Sequence, residues 1–285
     1  MSSIKGIDIS NNNGIVDFIK VLNDSVELIY MKATEGASGS GSVDEYMEEF
    51  YSQATANGLK VGAYHFFVGT STPEAQAQNF WEHIKDKNWN CIPFLDVENN
   101  FSGLSNAVVQ FIDEWNSLSD MPLGIYTYSS FMPYLEDIKD TIKDMPLWEA
   151  NYNNDPWNIP SNDIFNNRVG HQYTETGSIA GINSNCDVNV FTEGVLTVLS
   201  GEWIQGTGED SGKWWYKHLD GSYTKADWEK INGEWYYFDY KGWMCTGWIV
   251  VKEKDYLLDS NGAMYHDTIA YGYSFDSNGV ATKIS

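Results

Sequence analysis

Along the first two thirds of the chain, short β-rich runs alternate with stretches of helical period. Residues 4–10, 26–34, 60–68, 91–98, 122–130, 146–151, 169–174 and 187–191 form eight candidate strands. Helical patterns lie between them. VDEYMEEFYSQATANG ends on a Gly stop, TPEAQAQNFWEHIKD opens on a Thr cap followed by Pro, and SNAVVQFIDEWNSLSD follows the fourth strand. Strands alternating with helices call for parallel pairing. Eight such units within about 195 residues predict an α/β fold, a small irregular (β/α) barrel, with its chemistry at the C-terminal ends of the strands.

Beyond TVLSGEWIQGTGEDSG the texture changes, as Gly and Ser rise, helical period stops, and Trp and Tyr become dense. The boundary is placed near residue 200, giving a barrel over 1–199 and an all-β array of stacked hairpin repeats over 200–285. The repeat length is about 20 residues. Each repeat reads as an aromatic strand, a turn with Gly and a second strand, and YFDYKGWM, LLDSNGAM and SFDSNGVA are the expected hairpin turns.

In PFLDVEN, Asp96 and Glu98 stand two apart. Alternation along a strand projects both from one face, with Leu95 and Val97 on the other, at a Cα spacing of about 6.6 to 7 Å. Neighbouring anions raise at least one pKa, which keeps one carboxylic acid protonated near neutrality as a general acid. Asp8 lies between Ile7 and Ile9 in GIDIS, and Asp187 occupies the same kind of position in CDVNVF. Four inward acids in one barrel would be costly to bury without a catalytic reason. Tyr64, His65, Tyr126, Trp148, Tyr152 and Gln172 fall at the same expected strand ends. Aromatic walls with scattered hydrogen-bonding groups suit sugar rings. Ordinary core is the better reading for Phe66, a satisfied interior histidine for His65, and a local ion pair for Lys32 with Glu35.

Composition narrows the partners. The chain of 285 residues is 42% hydrophobic and 15% aromatic, enough for one large core and a smaller second unit. A net charge of −23 repels nucleic acid and anionic membrane surfaces. No apolar run is long enough to span a bilayer, and the N-terminus lacks the pattern of a secretory signal. Synthesis in the cytoplasm, with release by a separate route such as host lysis, is therefore expected. Cys91, Cys186 and Cys245 are odd in number and lack metal-ligand spacing, so neither a structural disulfide nor a metal site is expected, and no cofactor is implied.

In order along residues 4–192, GIDISNNNG, KATEG, GAYHFF, FLDVE, GIYTYSS, LWEANY, HQYT and CDVNVF resemble the family 25 glycoside hydrolase lysozymes, the N-acetylmuramidases, in their phage endolysin form. The resemblance implies cleavage of the β-1,4 bond between N-acetylmuramic acid and N-acetylglucosamine in peptidoglycan. It implies Glu98 as the general acid, Asp96 as the residue that positions the substrate's 2-acetamido group, and Asp8 and Asp187 as the remaining acidic pair. Carboxylate separation decides between a bound water and a covalent or substrate-assisted intermediate. Substrate assistance is favoured, since an acetamido sugar carries its own nucleophile.

The tail resembles the choline-binding repeats of pneumococcal-type wall enzymes, with GEWYYFDYKG and TGW the nearest matches. A quaternary ammonium donates no hydrogen bonds, so aromatic faces hold it by cation–π attraction. One cage is expected from Trp215, Trp228 and Tyr236, and a second from Trp235 or Tyr236 with Trp248 and Tyr256, while Trp214 and Tyr237 are read as structural. Asp255 and Ile269 stand where further Trp residues would complete a third cage. An open end of stacked hairpins also suggests weak homodimerisation. Two alternatives stand beside this reading: a hydrolase of another amino-sugar polymer such as chitin, and a wall-binding protein with a weak or inactive barrel.

Overall fold

The computed structural model describes residues 3–37, 39, 42–197, 202–218, 222–231 and 234–284. The chain divides into two compact units, Met1–Thr197 and Val198–Ser285. The boundary expected near residue 200 falls outside the described residues.

The first unit is a closed barrel in chain order, formed by β1 (Ser3–Ile9), β2 (Leu28–Glu35), β3 (Lys60–Phe66), β4 (Phe94–Asp96), β5 (Gly124–Tyr128), β6 (Pro146–Ala150), β7 (Asn167–Gly177) and β8 (Cys186–Thr192). Pairing is parallel from β1 to β7, as the alternation with helices requires. The last strand departs from that expectation, since β8 runs antiparallel to both β7 and β1. A loop of a few residues after Gly177 is too short for a crossover, so the chain turns back on itself. The start of β8, rather than its end, therefore reaches the barrel mouth, and Asp187 pairs across from Asp8.

Helices α1 (Phe18–Asn23), α2 (Met47–Ala56), α3 (Pro73–Ile84) and α4 (Leu104–Leu118) follow β1 to β4. Thr72 caps α3 by accepting from the Ala75 amide, and Pro73 occupies the first turn, where a missing N–H is harmless. The main core lies between strands and helices, where Ile7, Ile9, Leu95 and Val97 meet Phe80, Phe111 and Trp115. A second core fills the barrel with rings, as Trp148 packs on Tyr30 at 4.9 Å, on Phe191 at 5.4 Å and on Phe94 at 5.5 Å. Facing glycines make the room. A Cβ at Gly62 would come within 2.2 Å of Tyr30, and one at Gly124 within 2.3 Å of Phe94.

The second unit pairs β9 (Glu202–Gln205) with β10 (Trp214–Lys217), β11 (Asp227–Ile231) with β12 (Glu234–Phe238), and β13 (Gly247–Val251) with β14 (Lys254–Leu258). It ends in a three-stranded sheet of β15 (Thr268–Ala270), β16 (Tyr273–Phe275) and β17 (Ala281–Lys283). The hairpins are one strand out of phase with the sequence reading. Trp214–Lys217 pairs back to Glu202–Gln205, and YFDYKGWM and LLDSNGAM link successive hairpins through single bridges at Phe238–Met244 and Leu258–Met264. Only SFDSNGVA joins two paired strands, β16 and β17. The β13–β14 turn instead uses Lys252 and Glu253, both at positive φ of 48° and 63°. Two successive left-handed residues match the twist of a two-residue hairpin turn, so the turn was hidden by its lack of Gly or Asn.

Candidate active site

The barrel mouth gathers Asp8, Asp96, Glu98 and Asp187 around one cavity of about 230 Å³. Tyr64, Phe66, Tyr126, Trp148 and Tyr152 supply its aromatic walls. Alternation explains the placement: Ile7 and Ile9 face the helices and turn Asp8 inward, and Leu95 and Val97 do the same for Asp96. Glu98 lies two residues beyond Asp96, past the end of β4, and is half-buried rather than enclosed. A larger groove of about 680 Å³ shares Asn12 and Lys32 with this cavity and continues past Glu35, Asp44 and Ser71. Lys32 pairs with Glu35, as its place in KATEG suggested, and lies 4.8 Å from the Phe66 ring centre.

Beneath the acids runs a closed polar network. Gln172 Nε2 and Asn189 Nδ2 donate to Asp8 Oδ1 at 2.8 and 2.7 Å. Gln172 Oε1 accepts from the Tyr126 and Tyr152 hydroxyls at 2.7 and 2.9 Å, and Asn189 Oδ1 accepts from Trp148 Nε1 at 2.8 Å. Each amide thus spends its donor on Asp8 and its acceptor on a ring, which fixes both flips. Asp96 Oδ1 is buried and accepts no hydrogen bond among the described residues.

The carboxyls hold one another's protons. Burial raises the pKa of Asp96 well above the ordinary range, with the charges of Glu98 and Asp8 adding to it. Glu98 is raised by burial and by Asp8. Asp187 is pushed up to about 9 by burial and by Asp8, with which it also shares a hydrogen bond. Asp8 is raised by burial, an effect its amide donors oppose. Like charges crowded in a poorly solvated cavity cannot all ionise together near neutral pH.

Two expected substrate contacts change position. His65 lies on the opposite face of β3 from Tyr64 and Phe66, so it is fully buried among the helices. Its Nε2 donates to Gln76 Oε1 at 3.2 Å and its Nδ1 accepts from Thr34 Oγ1 at 2.7 Å, between the rings of Phe80 and Phe111. Burial pulls this imidazole down to about 3. The alternation that paired Asp96 with Glu98 already separated His65 from Tyr64. Gln172 is 1% exposed and lies behind the cavity, holding Asp8, Tyr126 and Tyr152 instead of lining the wall. Phe66, read as core, lines the cavity. Asn189 was missed, although it stands two residues from Asp187 and hence on its face; Glu175 was also missed and lines the cavity from β7.

In the tail the expected cages come apart. Trp228 pairs in register with Tyr237 and Tyr236 with Glu229, so Trp228 and Tyr236 occupy opposite faces of one hairpin. The same holds for Trp248, opposite Leu257, and Tyr256, opposite Ile249. The observed contacts run between hairpins, with Trp203 on Tyr236 at 5.0 Å, Trp228 on Tyr256 at 4.9 Å and Trp248 on Tyr273 at 4.7 Å. Trp203, Trp214, Tyr236 and Met244 line a cleft of about 380 Å³ with Ser260 and Asn261. Trp214 is therefore a wall of this cleft, as is Trp203, which precedes the point beyond TVLSGEWIQGTGEDSG where the aromatic texture sets in. Trp215 belongs to a different cavity with Tyr223 and Trp243, and Trp235 is 39% exposed and lines neither.

A closed barrel with clustered carboxyls and an aromatic wall at its mouth is the arrangement expected of a glycoside hydrolase fold. The chain belongs to the glycosyl hydrolases family 25, whose sequence signature matches residues 7–182. A choline-binding repeat signature matches residues 225–270. The autolytic lysozyme of Clostridium acetobutylicum is 34% identical over 197 residues, a span that covers 68% of this chain and 57% of that protein. Among solved structures, a bacterial lysozyme from Streptomyces coelicolor superposes with a TM-score of 0.57 at 25% identity, over 67% of this chain and 93% of that one. The multimodular pneumococcal cell wall endolysin from phage Cp-1, solved with choline, has the same fold with a TM-score of 0.52 at 24% identity, over 99% of this chain and 82% of that one.

Proposed function

We propose that the barrel hydrolyses the β-1,4 bond between N-acetylmuramic acid and N-acetylglucosamine in peptidoglycan and that the tail holds choline on the wall. The observation that carries the first part is the contrast within one pair: a buried Asp96 with an unsatisfied oxygen, and a more open Glu98 whose carboxyl is raised by burial and by Asp8. A substrate acetamido N–H donated to Asp96 Oδ1 favours its anion and leaves the shared proton on Glu98. Glu98 then protonates the leaving oxygen while the acetamido oxygen attacks the anomeric carbon, and water opens the resulting ring after Glu98 has become the base. Asp8 supplies negative charge where the sugar becomes cationic, with protonated Asp187 donating a hydrogen bond to it. The long groove beside the cavity suits a polymer lying across the mouth.

Glu98→Gln is expected to abolish hydrolysis with the circular dichroism spectrum unchanged; a variant keeping more than a few per cent of activity, where loss of a general acid removes about 10²-fold or more, overturns the assignment. Mass spectrometry of products from purified walls identifies the bond by the sugar at the new reducing end. For the tail, the Trp203–Trp214–Tyr236 cleft is a three-ring cage free of cations among its lining residues, the surroundings a quaternary ammonium needs. Trp203→Ala is expected to weaken retention on a choline-substituted resin, and unchanged retention argues against this cage. On this reading the enzyme acts on the bacterial cell wall.

A further inference from the structure

A second cavity in the tail has different chemistry. Trp215, Tyr223, Trp243 and Lys241 enclose about 190 Å³. Trp215 and Tyr223 meet at 5.1 Å with their planes 70° apart. Tyr223 rests on Gly242, where φ is +89° and a Cβ would come within 2.5 Å of the ring. The opposite wall is set by Asp239, whose Oδ1 accepts from the Lys241 and Trp243 amides at 2.8 and 2.9 Å. The box is preorganised by backbone and turn rather than assembled from loose side chains.

Cations surround it. Lys225 Nζ lies 4.4 Å from the Tyr223 ring centre and Lys213 Nζ 5.7 Å from that of Trp243, while Lys241 itself lines the cavity. Three of the chain's 17 basic residues thus gather here in a protein of net charge −23. Lys213 is paired with Asp210 at 2.6 Å, but Lys225 and Lys241 have no ion pair among the described residues. The Trp203 cleft, by contrast, has no cation in its lining. An ammonium ligand entering the lysine-rimmed box would meet like charge beside the Tyr223 and Trp243 rings. A pyranose offers C–H faces to the rings, and a phosphate ester on it offers acceptors to Lys225 and Lys241. The cavity is smaller than drug-sized sites of roughly 300 Å³ and above, which limits it to about one ring.

We propose that the Trp215–Tyr223–Trp243 box binds a phosphorylated sugar, giving the tail an anion-selective carbohydrate site distinct from its ammonium cleft. A unit of this kind is what a polyanionic sugar-phosphate polymer repeats along its length. The test titrates the full chain with glucose 6-phosphate, glucose, inorganic phosphate and choline, following the indole N–H signals by NMR. Glucose 6-phosphate is expected to move the Trp215 and Trp243 signals and leave Trp203 in place. The double variant Lys225→Gln, Lys241→Gln is expected to bind it about tenfold more weakly, a change of ~1.4 kcal/mol, with an unchanged circular dichroism spectrum. Choline displacing glucose 6-phosphate from the Trp215–Trp243 box overturns the proposal, as does glucose 6-phosphate binding equally well to both proteins or to neither. Inorganic phosphate binding as tightly as glucose 6-phosphate overturns the sugar assignment. None of these outcomes depends on the activity of the barrel or on choline binding in the Trp203 cleft.

Discussion

Asp8 reaches all three of the other acids, because its charge raises Asp96, where Glu98 weighs more, and also Glu98 and Asp187, where it is the leading charge. Asp8→Asn removes that charge, so the Glu98 carboxyl is expected to lose its proton at lower pH and the alkaline limb of kcat/KM to move down; an unmoved limb breaks the link. Asn189→Ala deletes a 2.7 Å hydrogen bond to Asp8 and leaves Trp148 Nε1 without its acceptor. Losing a hydrogen bond to a charged group costs about 1.5–3 kcal/mol, so kcat/KM is expected to fall about tenfold to a hundredfold. His65 acts on stability instead. Its folded pKa, about 3 against 6.5 for the free side chain, means that the unfolded chain takes up the proton first. The stability it permits is fully present above about 6.5 and is lost as pH falls toward 3, by ~1.4 kcal/mol per pH unit within that window. Urea midpoints of His65→Gln between pH 7 and 4 should show a shallower loss than those of the parent, and parallel slopes contradict the assignment. At this scale alternation made Asp8, Asp96 and Glu98 legible, whereas the amides of Gln172 and Asn189 took their meaning from β7 and β8 lying beside β1.

At the scale of elements, seven strands and three helices follow from hydrophobic period, caps and stops. The eighth strand's direction does not, since a strand read as ending at residue 174 leaves room for a crossover before 187, whereas β7 runs on to Gly177 and β8 starts at Cys186. In the tail, a repeat of fixed length has no marked beginning, so the same sequence permits two phases of pairing. Trp203 belongs to the first hairpin although it lies before the point where the aromatic texture sets in. The Lys252–Glu253 turn offers a check: Lys252→Asn with Glu253→Gly relieves two left-handed non-glycine residues and is expected to stabilise the tail by about 1 kcal/mol. A lower melting temperature contradicts the observed phase. Gly124→Ala tests the ring-filled barrel, because its Cβ would meet Phe94 at 2.3 Å. The expected destabilisation is about 1–3 kcal/mol.

For the whole molecule, the two compact units fit the proposed division between cutting and holding. Removing residues 198–285 is expected to leave turnover of soluble peptidoglycan fragments within about twofold while lysis of intact walls falls by 10²-fold or more, roughly the gain that tethering provides. Equal losses on both substrates would mean that the barrel needs the tail for its own integrity. From the sequence alone came the α/β class, the acidic strand ends and the aromatic repeat, because side-chain period, turn residues and local spacing are properties of neighbouring positions. The tertiary structure decided the reversal of β8, the amide network under Asp8 and the grouping of tail aromatics into a cation-free cleft and a lysine-rimmed box. Each of these joins residues far apart in the chain, and closure of a sheet or stacking of one hairpin on the next determines which faces meet.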